Sequence, residues 1–271
     1  MLKRPIPSTQ ETLPVIGLGT WQTFDVPAPT DRLQRTLETM HQAGGTLIDS
    51  SPMYGRSEAR IGDLTTAARL ADSFFYATKV WTTGREQGIR QMEESRERMQ
   101  RETIDLMQIH NLTDWQTHLQ TLREWKESKK IRYLGITHYT DSSHEMLERI
   151  LATEAIDFVQ FNYSILNRNA EKRLLSIAAD RGVATLINRP LGEGGLFAQV
   201  RNQPLPAWAS AYEIKSWGQF FLKYIVSHPA VTCVIPGTSD PDHLADNMQA
   251  GFGPLPDEAT RKKMVDYLTA L

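Results

Sequence analysis

Asp49, Tyr54, Lys79 and His110 are a carboxylate, a phenol, an ammonium and an imidazole, each at or just past the end of a short apolar run. Leu47-Ile48 leads straight into Asp49, Ser50-Ser51-Pro52 signals a turn, and Tyr54-Gly55 follows. A charge at the mouth of a buried strand is costly unless something pairs with it. Lys79 supplies such a partner from Phe74–Val80, and His110 closes the run Ile104–Ile109. A free tyrosine titrates near about 10, too high for ready proton exchange at neutral pH. A lysine beside it favours phenolate and lowers that value, while a carboxylate holds the lysine in place. A histidine can hydrogen-bond and orient a substrate oxygen. Together the four make a proton donor for an oxygen developing negative charge, or in reverse a base for an alcohol.

Taken singly, each residue has an ordinary reading: Asp49 as a helix cap, Lys79 as a surface lysine, His110 as a hydrogen-bonded core histidine. Their arrival at the same end of consecutive strands favours one cleft of titratable groups. No nucleophilic serine or cysteine joins them, nor a carboxylate pair at glycosidase spacing, nor a three-ligand metal set. The group suits proton transfer coupled to an electron carrier that the protein itself lacks.

Positioning these residues requires strands that end together. Apolar runs at Thr12–Trp21, Thr46–Ser50, Phe74–Val80, Ile104–His110, Ile131–Ile136, Asp157–Phe161, Val183–Ile187 and Val231–Ile235 read as eight strands. Helical patterns lie between them, among them Asp31–Gln42, Ser57–Leu70 and Ser216–His228, and helices close the chain from Pro241. A Gly- and Pro-rich segment runs from Pro190 to Pro206. With no Asn-Gly type hairpin signal between neighbouring strands, the alternation predicts a parallel sheet. Eight units in 271 residues suit an α/β fold, a closed (β/α)8 TIM barrel over residues 1–271 as one domain, with an open doubly wound sheet as the alternative. In such a barrel the strand C-termini converge on the active-site face.

Composition narrows the partners. A net charge of -2 with 23% charged residues lacks the basic excess that nucleic acid or an anionic membrane surface demands. The single cysteine, Cys233, excludes an internal disulfide, and its valine neighbours suit a buried structural thiol. No apolar run is long enough to span a bilayer, and Met1–Pro5 has no apolar core behind its basic residues. The expectation is a cytoplasmic monomer acting on a small molecule, with a periplasmic home if an export leader was removed.

The sequence resembles the aldo-keto reductase superfamily over nearly its whole length, closest to bacterial members. The likeness rests on Gly17-Leu18-Gly19-Thr20-Trp21, Ile48-Asp49-Ser50-Ser51-Pro52-Met53-Tyr54-Gly55, Ala77-Thr78-Lys79-Val80-Trp81, Asp105-Leu106-Met107-Gln108-Ile109-His110 and Ile235-Pro236-Gly237-Thr238. It implies a TIM barrel that reduces a carbonyl with NADP(H) or NAD(H), bound without a Rossmann fold. Tyr54 would be the general acid, Lys79 and Asp49 its tuning pair, and His110 the orienting group.

The resemblance also marks cofactor positions, with departures. Thr137-His138 stands where the family has Ser-Asn, and Gln160 fits the amide partner of the nicotinamide. Asn188, followed by Arg189, replaces an aromatic residue that stacks on the ring in many members, with Tyr163 a possible substitute. Leu191, Gly192 and Gly194 offer backbone N–H groups to a pyrophosphate. The stretch Gly237, Thr238, His243, Asp246 and Asn247 opens a helix whose N-terminus favours phosphate. NADPH-preferring members carry a lysine and an arginine at the positions of Gly237 and His243, so the preference stays open. Trp21, Trp81 and Trp115 are candidates to wall an apolar substrate pocket, or equally to be core residues. A lyase or isomerase using the same proton machinery without hydride, and a non-catalytic binding module, are the rival readings.

Overall fold

The computed structural model describes residues 1–28 and 30–271. The chain begins with an antiparallel hairpin, β1 (Lys3–Pro5) against β2 (Thr12–Pro14). Thr12–Trp21, expected as one strand, is divided between this hairpin and the barrel. In fact Pro14, which lacks an N–H, ends β2, and the barrel strand β3 is only Leu18–Gly19. The hairpin has a packing reason: Ile6 and Leu13 join Leu47, Phe75, Leu106 and Phe158 in an apolar cluster that floors the barrel.

After β3 come α1 (Asp31–Gln42), β4 (Leu47–Asp49), α2 (Ser57–Ala67), β5 (Phe75–Val80), α3 (Arg85–Arg98) and β6 (Ile104–His110). Then follow α4 (Trp115–Glu127), β7 (Ile131–Thr137), α5 (His144–Thr153), β8 (Phe158–Asn162), α6 (Leu174–Asp180) and β9 (Ala184–Asn188). The chain finishes with α7 (Gly195–Gln199), α8 (Trp217–Val226), β10 (Cys233–Val234), α9 (Pro241–Gln249) and α10 (Glu258–Thr269). The helices form for local reasons: α1 turns Leu33, Leu37 and Met40 inward, and Ser216 caps α8 by accepting from Gln219 N–H.

The eight strands β3 to β10 lie side by side in chain order, every neighbouring pair parallel. The ends meet: Gly17 N–H donates to Val234 O (2.8 Å) and Val234 N–H to Val15 O (2.9 Å). Gly19 bridges to Gly237, and a Cβ at Gly19 would come within 2.8 Å of Ile235 O, so only glycine permits the seam. The sheet is thus closed, as expected, and not an open doubly wound one. The Gly- and Pro-rich segment after β9 holds α7 and a tight turn over 192–194. Cys233 is buried against the floor, and burial pushes its thiol up, as suits a structural side chain.

Candidate active site

Strand register brings the ionisable residues together. Asp49 lies opposite Gly19 and Ala77, Lys79 opposite Gln108, His110 opposite Thr137, and Thr137 opposite Gln160. On β6, Leu106, Gln108 and His110 alternate onto the interior face, so apolar floor gives way to amide and then imidazole toward the mouth. The cavity at that mouth has a volume of about 790 Å³, with Asp49, Tyr54 and His110 on its wall.

Asp49 is the hub. Its Oδ2 accepts from Lys79 Nζ (2.6 Å), and its Oδ1 accepts from Gln108 Nε2 and Gln160 Nε2, both at 3.0 Å. Lys79 is wholly buried behind the wall and also donates to Ser50 O (2.6 Å). Burial alone would lower the lysine's pKa, but Asp49 and Tyr54 together outweigh it and hold the ammonium above its ordinary value. Its Nζ lies 5.1 Å from the centroid of the Tyr54 ring.

Tyr54 is fixed by its backbone: its N–H donates to Ser51 O, and its carbonyl accepts from Ser57 N–H and Oγ–H. Gly55 then turns the chain at φ +58°, a conformation glycine adopts freely, and a Cβ there would collide with Asp25. The net shift of Tyr54 is upward, because burial outweighs the downward pull of Lys79 and Asp49 adds to the rise. This corrects the sequence-based expectation of a lowered phenol: Lys79 only moderates a burial effect that residue types do not reveal. The phenol is therefore firmly protonated at neutral pH, which suits a proton donor. His110 is neutral as well, its pKa lowered to about 2 by burial, with the Lys79 and His138 charges adding to the effect. Its ring meets Tyr54 edge-on at 5.9 Å between centroids.

The amide side of the cavity continues the same network. Gln160 Oε1 accepts from Thr137 Oγ1 (3.1 Å) and Asn188 Nδ2 (3.3 Å), and Asn188 Nδ2 also donates to His138 O (3.1 Å). Thr137, Gln160 and Asn188 line the cavity, whereas His138 turns its ring onto Tyr139 (5.4 Å between centroids, 12°) and contributes only its carbonyl. Asn188 Oδ1 is buried, without a hydrogen-bond partner among the described residues.

Arg189 and Leu191 line the cavity too, the arginine paired with Glu193 at 2.8 Å. Gly194 is on the wall and Gly192 is not. The N–H groups of Gly192, Gly194 and Gly195 donate to Arg189 O, Leu191 O and Gly192 O, so the expected backbone cradle is occupied by its own turn. Gly237, Thr238, His243, Asp246 and Asn247 do converge on the far end of the cavity. There Asp240 caps α9, accepting from Asp242 N–H (2.8 Å) and His243 N–H (3.3 Å), which fills the helix N-terminus with a carboxylate. Asp246 is engaged by Ser216 Oγ–H (2.5 Å) and Gln219 Nε2 (2.6 Å).

The tryptophans separate. Trp21 lines the cavity and is 45% exposed, so it is no core residue. Trp81 is also exposed, its ring 6.3 Å from that of His110, beside the mouth. Trp115 packs against the outer core on α4 and does not reach the cavity. Nor does Tyr163 replace the missing ring: it is buried, its hydroxyl donating to Glu171 beside Tyr224 and Arg261. Residues not anticipated are Gln108 and Ser51, both fully buried, and Tyr139 and Met53 at the rim. Strand alternation two residues before His110 was a usable signal for Gln108. Nothing local marks Ser51.

The Aldo/keto reductase family profile matches residues 15–263. An NADH-specific methylglyoxal reductase of Escherichia coli is 30% identical over 260 residues, spanning 83% of this chain and 78% of that protein. In fold, an aldo-keto reductase of Klebsiella pneumoniae solved with NADPH superposes with a TM-score of 0.81, 22% identity and coverage of 99% of this chain and 96% of that one. The holo form of an aldo-keto reductase from Bacillus halodurans superposes with a TM-score of 0.79 at 21% identity, covering 99% and 96%.

Proposed function

The chain belongs to the aldo/keto reductase family, and from that premise we propose which of its residues reduce a carbonyl and what they accept. The enzyme converts an aldehyde or ketone to an alcohol with a nicotinamide cofactor, and residues 1–271 act as one barrel domain, as a monomer. The observation that carries the site assignment is the chain of contacts Gln160–Asp49–Lys79 ending beside Tyr54, with His110 edge-on to the same phenol.

The cofactor side fits a carboxamide. Thr137, Gln160 and Asn188 line that wall with hydroxyl and amide groups joined to one another, the kind of lining a carboxamide can pair with. When bound, the dinucleotide supplies the hydride. Tyr54 delivers its phenolic proton to the substrate oxygen as negative charge grows there. Lys79, held charged by Asp49, stabilises the phenolate left behind, and His110 hydrogen-bonds the same oxygen.

The far end of the cavity favours NADH. Asp246 puts a carboxylate on the wall there, Arg32 is already paired with the Asp240 cap, and His243 is the basic residue of that stretch on the wall. A 2′-phosphate would meet like charge. The relative in Escherichia coli named NADH-specific agrees with this reading. Trp21, Met53 and Trp81 leave the substrate side apolar and uncharged, which selects a small neutral carbonyl. No helix among the described residues is long and apolar enough to cross a membrane.

Fluorescence titration with NADH and NADPH, followed by turnover of a small neutral aldehyde, tests the reading. Tyr54→Phe should abolish turnover while leaving dinucleotide affinity nearly unchanged. Binding of neither dinucleotide at millimolar concentration, or full activity in Tyr54→Phe, sinks it.

A further inference from the structure

We propose that Ser51 is a positioning residue that fixes the tautomer of His110, holding the ring with its proton on Nε2, the edge turned to the cavity. The inference rests on the carbonyl-reduction reading for its consequence, though not for its geometry. Ser51 is fully buried, in the turn between β4 and Tyr54, and its Oγ lies 3.0 Å from His110 Nδ1. The same Oγ accepts from Met53 N–H at 3.3 Å.

A serine hydroxyl has one proton and two acceptor lone pairs. Suppose the Nδ1–H tautomer of His110 donated to Oγ. Oγ would then accept twice, and its own proton would have no acceptor among the described residues, in a place closed to water. An unsatisfied buried donor is disfavoured by more than a formed hydrogen bond stabilises. If Ser51 donates to Nδ1 instead, its proton, its lone pair and the ring nitrogen are all satisfied. Nδ1 then carries no hydrogen, and a neutral imidazole must carry it on Nε2. The ring is neutral because burial and the nearby Lys79 ammonium oppose a second proton.

The consequence is chemical. An Nε2 without hydrogen would face the substrate oxygen with a lone pair and repel it; Nε2–H donates to it and strengthens as that oxygen becomes negative. Backbone geometry holds the serine in turn: Ser51 O accepts from Tyr54 N–H, so one turn places both the tautomer setter and the acid.

Long-range ¹H–¹⁵N correlation of the histidine rings in the wild-type protein provides the test, with His110→Gln identifying the His110 signals among the 7 histidines. The expected pattern is a bare Nδ1 and a protonated Nε2, unchanged between about pH 6 and pH 9 given its lowered pKa of about 2. In Ser51→Ala the pattern should shift toward a mixture of tautomers. kcat/KM for the aldehyde should fall about tenfold, the factor one net hydrogen bond is worth. NADH affinity should hold, and Ser51→Thr, which keeps the hydroxyl, should restore the wild-type pattern. An Nδ1–H pattern in the wild type overturns the proposal, as does a Ser51→Ala protein with unchanged tautomer and kcat/KM. Should Ser51→Ala not fold, the wild-type spectrum alone decides. A wild type that shows the Nε2–H pattern and yet reduces no carbonyl would overturn the functional reading and leave the tautomer assignment standing.

Discussion

Lys79→Met should cost more stability than Lys79→Met combined with Asp49→Asn. In the wild type the ion pair is closed to water, with side-chain exposures of 0% for Lys79 and 4% for Asp49. Removing the lysine leaves a buried carboxylate whose Oδ2 has lost its donor, and Ser50 O loses its side-chain partner as well. Breaking a buried pair from one side costs about 3–5 kcal/mol. The two amide donors on Oδ1 remain, so a value near the middle, about 4 kcal/mol, is expected. Changing Asp49 to Asn removes the stranded charge, and its side-chain oxygen can still accept from Gln108 and Gln160. The double variant should therefore recover roughly 2 kcal/mol of the loss. Urea unfolding followed by fluorescence of the 6 tryptophans measures this, with the m-value held constant as the control. At about 2 °C per kcal/mol, Lys79→Met should also melt roughly 8 °C lower. A double variant as unstable as the sum of the two singles would refute the reasoning, since that result means the charges are solvated separately. Both variants should lose turnover, because neither retains the ammonium beside Tyr54.

Gln108→Leu should lower kcat/KM about tenfold and stability by roughly 1–2 kcal/mol, because Asp49 Oδ1 and Gln160 each lose a partner; unchanged kinetics would relegate Gln108 to packing. NADH should bind more tightly than NADPH, and Asp240→Ser with His243→Arg, which keeps a cap and adds a cation, should shift the ratio toward NADPH about tenfold in fluorescence titration. The kcat/KM for reduction should stay flat from about pH 6 to pH 9, since Tyr54 is raised above its ordinary value of 10.0 and His110 is lowered to about 2; an inflection near 6.5 that vanishes in His110→Gln would contradict this. The same lowering has a sign for stability. His110 binds a proton in the unfolded chain below about 6.5 but not in the folded one until about 2, so its contribution is full above 6.5 and is lost progressively toward pH 2. His110→Gln should therefore unfold less steeply in acid than the wild type.

The barrel was legible because each strand is a short apolar run bounded by turn residues, and because Asp49, Lys79 and His110 recur at run ends. The hairpin at the N-terminus was not, since Lys3–Pro5 has no strand-like alternation and acquires its role only by closing over the floor. Trp21 and Trp81 could be placed near the mouth from their positions after β3 and β5, but Trp115 could not be told apart from them, because its orientation is set by α4 packing. The direction of the Tyr54 shift depends on how burial compares with one nearby ammonium, a tertiary quantity. Ser51 and His110 are separated by 59 positions, and no local pattern pairs a turn serine with a strand-end histidine.

The interior of this barrel divides by polarity, and that division explains why the site lies where it does. Below, the hairpin plugs the strands with Ile6 and Leu13, and the Tyr133 hydroxyl in that apolar floor reaches outward to Thr9 and Glu11. Above, buried polar groups are linked in series: Asn188 to Gln160, Gln160 and Gln108 to Asp49, Asp49 to Lys79. A buried network of this kind is stable only when complete, because an unmatched member is costly in low dielectric. It opens onto the cavity at Tyr54, whose hydroxyl has a proton to give. That end calls for an oxygen that gains charge. Under the proposed function a carbonyl substrate is that partner, and the carboxylate of Asp49 ties the lysine beside Tyr54 to the amides of Gln108 and Gln160.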